Sequence, residues 1–490
     1  MERKWQILIA IALGTAVVPI NAGIVNVSLP SITEFFNVSV ATAQWVLTAY
    51  LLFMLSLVLF FGRVGDSKGH ERLYMLGLVF FILSSLLCSS SPSIYFLIIF
   101  RAVQGVAAAM MISVSLGIVK KSFPTEELGR ALGIYAVAIA AGLALGPAIG
   151  GLIESWGGWR SIFLLNIPLC ALSLILCYFI LDRNTGEKVK WDLTGTFLQF
   201  SCLFSIVYGL NYIQREGIDM ITVFIGFFAL FTLIMFIWNE RRVDEPLLNL
   251  SLFRKMKFSA FNLALFLNYL CMYMVFFIMP FYLQKVLHLG SNVTGMVLTA
   301  APVIMMFMAP LSGSLSDKMG SRYLAFTGSI ISALALFSMT QLTIFSSLVD
   351  VTWRFALLGV GAAFFQSPNN RAIMAHVPDK ASGMVSSIIV TMRNLGMVFA
   401  VSFAGLLLYT TITPSTLQSP VLYNLAAYDF TTGMHRVVIF GGIISIIMAI
   451  LSLAGLKKEK IKEKLDLDYV KDRMDDLVSE VTFSEKGEIL

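Results

Sequence analysis

The sequence predicts an all-α polytopic membrane protein with about fourteen transmembrane helices, and three observations carry that expectation. Of its 490 residues, 58% are hydrophobic and 13% charged, whereas soluble domains run nearer half and a quarter. The apolar residues come in blocks of roughly 20, the length that crosses a bilayer as a helix. Lysine and arginine gather in alternate connectors, the asymmetry that orients helices in a membrane. Together these features exclude a soluble globular fold. They also turn the net charge of +6 from a nucleic-acid signal into a topological one, so no nucleic-acid partner is expected.

In chain order the blocks fall near residues 6–27, 43–62, 73–90, 95–119, 130–154, 161–182, 192–213, 219–239, 258–284, 294–315, 323–345, 351–371, 382–410 and 434–456. The first follows a basic start but runs too long for a secretory leader and lacks a small-residue cleavage site, so it is read as a retained helix. With Arg3 and Lys4 in the cytoplasm, alternation puts Arg63, Lys68, Lys120, Lys121, Arg183 and Lys188 there too. Arg241, Arg242, Lys255, Lys257, Lys318, Arg371 and Lys380 follow. The intervening connectors are poor in basic residues, and "SSSPS" and 411–433 have none. An even span count returns the C-terminus to the cytoplasm with "LKKEKIKEK". The expectation is a multi-pass plasma (inner) membrane protein, both termini cytoplasmic. The charged tail, 457–490, repeats apolar residues from Leu465 to Val481 and reads as a short amphipathic cytoplasmic helix. Five cysteines lie in apolar blocks without a CxxC pair or a Cys/His cluster, so neither disulfides, a metal site nor a cofactor is expected.

The chain carries an internal repeat. "GRVGDSKGHER" after span two (Gly62, Arg63, Asp66, Gly69, Arg72) is matched by "GSLSDKMGSR" after span ten (Gly313, Asp317, Gly320, Arg322). Two halves repeating with the same polarity predict two bundles related by an axis along the membrane normal, with a site between them and rocking around it. Glycines permit a tight turn, and Asp66 is placed to cap a helix of the other half. These residues are therefore read as gating groups; the plainer alternative is a solvated turn that only sets topology.

Two further stretches carry chemistry. In "RAVQGVAAAM", Arg101 lies about 10 Å below the outer edge of span four at ~1.5 Å per residue. A membrane-embedded arginine faces protein or water and marks function by default, with Gln104 one turn on. The alternative is an arginine that bonds carbonyls between helices. In "AGLALGPAIGG", Gly142, Gly146, Pro147, Gly150 and Gly151 let helices touch closely around a proline.

The stretches "GIVNVSLPSI", "QWVLTAYLL", "GRVGDSKGHER", "RAVQGVAAAM", "GPAIGG", "WRSIFLLNIP" and "TMRNLG" make the chain resemble a major facilitator superfamily transporter. It most resembles the fourteen-span drug/proton antiporter branch, over residues 5–456. The resemblance implies an N-terminal six-helix bundle (1–184), two inserted helices (185–245) and a C-terminal six-helix bundle (246–456). "GPAIGG" resembles the family's antiporter motif, typical of exporters. The family pattern near residue 21 is similar to L-D-x-T-I-V-N-V-A-L-P, so the family aspartate is Asn21 here. An amide does not titrate.

No span carries an acid near its middle. What lies deep is positive: Arg101, and Arg393, about 18 Å into span thirteen. Together with Arg101 and Arg393, the residues Asn21, Asn26, Gln44, Gln104, Asn262, Asn268, Tyr273, Gln366 and Asn369 are expected to bind substrate in a central cavity. Proton-coupling candidates are left at the edges, Asp66 and Glu154.

The expected function is secondary active export of small amphiphilic drug-like molecules by alternating access, with proton antiport, by a monomer in the lipid bilayer. The alternative is export of a neutral or anionic metabolite or lipid with non-standard or no proton coupling, because of Asn21. A membrane enzyme would need a clustered nucleophile, base or metal set, and none is found, so no catalytic residue is assigned. A sensor would need a larger cytoplasmic domain.

Overall fold

The computed structural model describes residues 2–181, 191–243, 247, 250, 252–375, 382–411, 422 and 424–453. The tail expected to form an amphipathic helix lies outside the described residues. Among them, 14 helices are long and apolar enough to cross a membrane. In chain order the elements are α1 (Arg3–Phe35), α2 (Val40–Ala43), α3 (Trp45–Lys68), α4 (His70–Ser89), α5 (Ile94–Ser122), α6 (Thr125–Gly157), α7 (Ser161–Leu164) and α8 (Asn166–Ile180). There follow α9 (Leu193–Glu216), α10 (Met220–Glu240), α11 (Met256–Phe281), α12 (Ser291–Met319), α13 (Ser321–Ser338), α14 (Leu348–Met374), α15 (Ser382–Tyr409) and α16 (Asn424–Leu453). Short α2 continues into α3 and α7 into α8, each pair making one span. A π-helical turn, Tyr282–Val286, extends α11.

Most expected spans recur, with the largest differences at the end of the first and the start of the last. The first helix continues to Phe35 with Pro19 and Pro30 inside it, tolerated because neighbouring helices satisfy the groups that proline frees. The last begins at Asn424, ten residues before the expected start of 434, because its first turns carry Asp429, Thr431, Thr432 and Arg436 and hide from a hydropathy reading.

The helices α1–α8 pack chiefly among themselves, as do α11–α16. The two groups, hereafter the first and second halves, meet where α6 crosses α12, α1 meets α11 and α3 meets α15. Helix α11 is central, with 83% of its apolar window buried against protein, whereas α10 has 17% and packs chiefly on α9. The repeat is visible in the backbone. Gly69 ends α3 at φ +98° and Gly320 ends α12 at φ +86°, both in the region that favours glycine. Their N–H groups bond Gly65 and Ser316 four residues back.

Candidate functional site

The glycines of "GPAIGG" determine how the halves approach. A methyl group at Gly142 would lie 2.8 Å from the Ala16 carbonyl oxygen, and one at Gly150 2.8 Å from Ile24 Cα. Gly146 faces the Ile20 carbonyl in the same way. This face of α6 therefore lies against α1. Gly151 faces the other half, where its added carbon would collide with the Ser291 carbonyl of α12, and Gly295 of α12 abuts the Pro147 carbonyl reciprocally. One motif thus packs α6 on two helices, one in each half.

Beside this crossing lies a cavity of about 10 Å³ bordered by Asn26, Pro147, Met272, Tyr273, Phe276 and Pro302. It has room for roughly one water molecule. Asn26 donates from Nδ2 to the Phe276 carbonyl at 2.6 Å, tying α1 to α11, while its Oδ1 is buried without a partner. The rings of Tyr273 and Phe276 stack at 6.3 Å.

Several bonds between the halves lie at the end of the bundle where connectors are poor in basic residues. Besides Asn26, Gln284 Nε2 donates to the Val27 carbonyl at 2.8 Å, and Ser291 Oγ to the Gly151 carbonyl at 3.3 Å. The Ala41 N–H donates to Tyr409 Oη at 2.9 Å. Gln44 belongs here and not beside the cavity: its Nε2 donates to Gln214 Oε1 at 3.0 Å. The sequence did not single out Gln214 or Gln284, because an amide among apolar residues does not reveal which neighbour it faces.

Arg101 and Gln104 are also not at the cavity surface. Arg101 is fully buried inside the first half. Its Nε donates to the Val46 carbonyl at 2.8 Å, and its Nη1 to Asn21 Oδ1 at 2.8 Å and Gln104 Oε1 at 2.5 Å. Gln104 Nε2 passes the chain to Ser85 Oγ. The guanidinium lies 4.1 Å from the centroid of the Tyr50 ring, a cation–π contact. Arg101 Nη2 and Asn21 Nδ2 have no hydrogen-bond partner. Among the described residues the hydrogen-bond partners of Arg101 are all uncharged.

The second half holds its own set of buried amides. Tyr269 Oη donates to Gln366 Oε1 at 3.0 Å, and Gln366 Nε2 to Asn268 Oδ1 at 2.9 Å. Asn262 and Asn369 donate to the Phe258 and Phe261 carbonyls of α11. Their Oδ1 atoms are unpartnered. Arg393 is half-buried, its Nε unpartnered.

Among the described residues Asp66 makes no hydrogen bond across the halves. Asp66 Oδ1 accepts from His70 Nε2, one turn on in its own half, at 2.9 Å. Arg72 is exposed, Arg63 half-buried and Arg322 buried. Gly62 has open space around it, and Gly313 faces Ser367 within the second half. Asp317 lies in the last turn of α12. Glu154 is buried near the end of α6, where Oε2 accepts from Ser28 Oγ at 2.6 Å. Among the described residues no group of histidines, cysteines and carboxylates is arranged to hold a metal.

The Major Facilitator Superfamily model matches residues 11–401 and 261–470. The chain is 33% identical over 405 residues to the riboflavin transporter RibZ of Clostridioides difficile, covering 82% of this chain and 88% of that one. It is 30% identical to the multidrug resistance protein Stp of Mycobacterium tuberculosis, covering 81% and 74%. It is 28% identical to the tetracenomycin C resistance and export protein of Streptomyces glaucescens, covering 83% and 76%. In fold it is similar to a solved bacterial homolog of the human lysosomal transporter Spinster, in an inward-facing and unoccupied conformation, at a TM-score of 0.68 and 14% identity over 93% of this chain and 97% of that one. Span count, paired halves and family match agree: the chain belongs to the Major Facilitator Superfamily, as a polytopic secondary active transporter of small solutes.

Proposed function

We propose that this transporter exports small amphiphilic molecules that are uncharged or anionic, by alternating access between its halves. The observation that carries this reading is the partner set of the buried Arg101: the Val46 carbonyl, Asn21 Oδ1 and Gln104 Oε1, none of which bears a charge. Asn21 lends Arg101 an oxygen but no negative charge. A cationic solute entering beside Tyr273 meets repulsion that a carboxylate at residue 21 would cancel, and an anionic or neutral one does not. The amide wall of Asn268, Gln366, Asn262 and Asn369 offers acceptors and donors to a polar edge, and Met272 and Phe276 offer apolar surface to the remainder.

In this reading the halves are residues 1–184 and 246–456, with 185–245 as inserted helices of the fourteen-span antiporter branch. The protein lies in the plasma membrane with both termini cytoplasmic, as the placement of lysine and arginine supports. The bonds at the basic-poor end then close the outer side, and solute enters from the cytoplasm. Export draws support from "GPAIGG" and from relatives named for resistance.

A second reading is ordinary multidrug/proton antiport, with Glu154 carrying the proton in place of Asn21. The burial of Glu154 beside Ser28, next to the α6–α12 crossing, favours it. Both are tested by uptake into inside-out vesicles of matched cationic, neutral and anionic amphiphiles, with riboflavin as a neutral probe, with and without a proton gradient. Accumulation of neutral or anionic probes but not the cation is expected. Gradient-driven uptake of the cation alone, abolished by Glu154→Gln, would replace the first reading with the second.

A further inference from the structure

We propose that Gln214, on the inserted helix α9, is a positioning residue of the transport cycle that latches the two halves together at the basic-poor end. Its side-chain amide is buried and uses both ends. Oε1 accepts from Gln44 Nε2, at the α2–α3 junction of the first half, at 3.0 Å. Nε2 donates to the Ser402 carbonyl of α15, in the second half, at 2.8 Å. A single amide from outside both halves therefore joins them.

The surroundings are built for that contact. A methyl group at Gly405 of α15 would lie 2.5 Å from Gln44 Oε1 and 2.8 Å from Gln214 Oε1, so only glycine leaves room for the paired amides. One turn earlier on α9, Asn211 Nδ2 donates to the Ala41 carbonyl at 3.1 Å, while the Ala41 N–H donates to Tyr409 Oη. The turn of chain in α2 is thus gripped by α9 on one side and α15 on the other. Trp45, next to Gln44, packs its ring against Phe204 and Tyr208 of α9, which seats the inserted helix on the first half.

Alternation requires the halves to part at this end. Helix α9 cannot follow both, so one of the two amide bonds has to break. The aromatic contacts lie on the first-half side, so the Gln214–Ser402 bond is the one that opens. The bond contributes to the closed state and is absent from the open one. Deleting it shifts the equilibrium between states without touching the solute.

The mechanistic consequence rests on the alternating-access reading, but the latch is tested independently of it. A cysteine replaces Ser291, which lies at the α6–α12 contact of the same end and away from the latch. Its labelling by a membrane-impermeant maleimide is timed in intact cells and in inside-out vesicles, against the parent with its five buried cysteines. Gln214→Ala and Gly405→Ala are each expected to raise labelling from one side by roughly three- to tenfold, the range of an interhelical hydrogen bond. Half-saturating solute concentration and maximal rate are expected to change in different proportion. Gln214→Met, which keeps the volume, decides the matter if the alanine variant does not accumulate. Unchanged labelling in Gln214→Met and Gly405→Ala overturns the latch, whatever transport does. Raised labelling with no uptake of any probe keeps the latch and counts against the export reading alone.

Discussion

The two halves each hold a deep arginine, and they treat it in opposite ways. In the first half, amides hold the cation: Asn21 and Gln104 accept from Arg101, the Val46 carbonyl accepts a third bond, and the Tyr50 ring covers the face. In the second half, amides hold each other: Tyr269, Gln366 and Asn268 form their own chain, and Arg393 is half-buried with Nε unpartnered. One arginine is sealed inside its half, and the other is half-buried. Under the proposed export reading, Arg101 supplies stability and a positive field, and Arg393 supplies recognition.

The largest expected effect is Arg101→Ala. It removes bonds to a charged donor worth about 1.5–3 kcal/mol each, offset by relief of the buried charge, for a net loss of about 2–4 kcal/mol. Thermal unfolding in detergent measures it, and a loss below about 1 kcal/mol would mean that the network is not structural. Arg393→Gln is expected to leave unfolding within about 1 kcal/mol of the parent but to weaken an anionic ligand roughly tenfold, a change of ~1.4 kcal/mol. Equal stability losses at the two sites would erase the contrast.

Asn21→Asp probes the field. It sets a carboxylate where Oδ1 now lies, 2.8 Å from Arg101 Nη1, and neutralises that charge. Cationic amphiphiles are expected to gain affinity and anionic ones to lose it, by a factor of roughly three to ten. The smallest effect is expected far from both arginines, at the α9–α10 turn. Asp219 caps α10 by accepting from the Thr222 N–H at 2.9 Å. Bonds from the Thr222 backbone and side chain and from Tyr212 hold its carboxyl below the usual carboxylate range. Its stabilisation is therefore present above the ordinary carboxylate pKa and fades as pH falls through the lowered value. Asp219→Asn should flatten that acid dependence of the unfolding midpoint and leave solute binding unchanged.

Much of this architecture is legible in the residues alone. Apolar block length gives the spans, and glycine placement gives the repeat, since a left-handed turn at Gly69 and Gly320 demands it. Facing is not legible. A helix that is apolar on every side gives no direction, so Gln44 reads as a cavity residue yet bonds Gln214, and Arg101 reads as a substrate-binding group yet is sealed inside the first half. Asp66 reads as a cap across the halves, but a histidine one turn away satisfies it first. The π-helical turn at Tyr282–Val286 leaves no periodic trace, and with it the buried Lys285 is missed.

The most direct measurement is a thermal-shift screen of the purified protein in detergent against matched cationic, neutral and anionic amphiphiles. A ligand at about 100 times its dissociation constant adds ~2.7 kcal/mol to the folded state, enough to move the midpoint. The two uncancelled arginines predict stabilisation by neutral and anionic members and none by the cation. Stabilisation by the cation alone would contradict the account and show that the buried arginine charge does not select the solute.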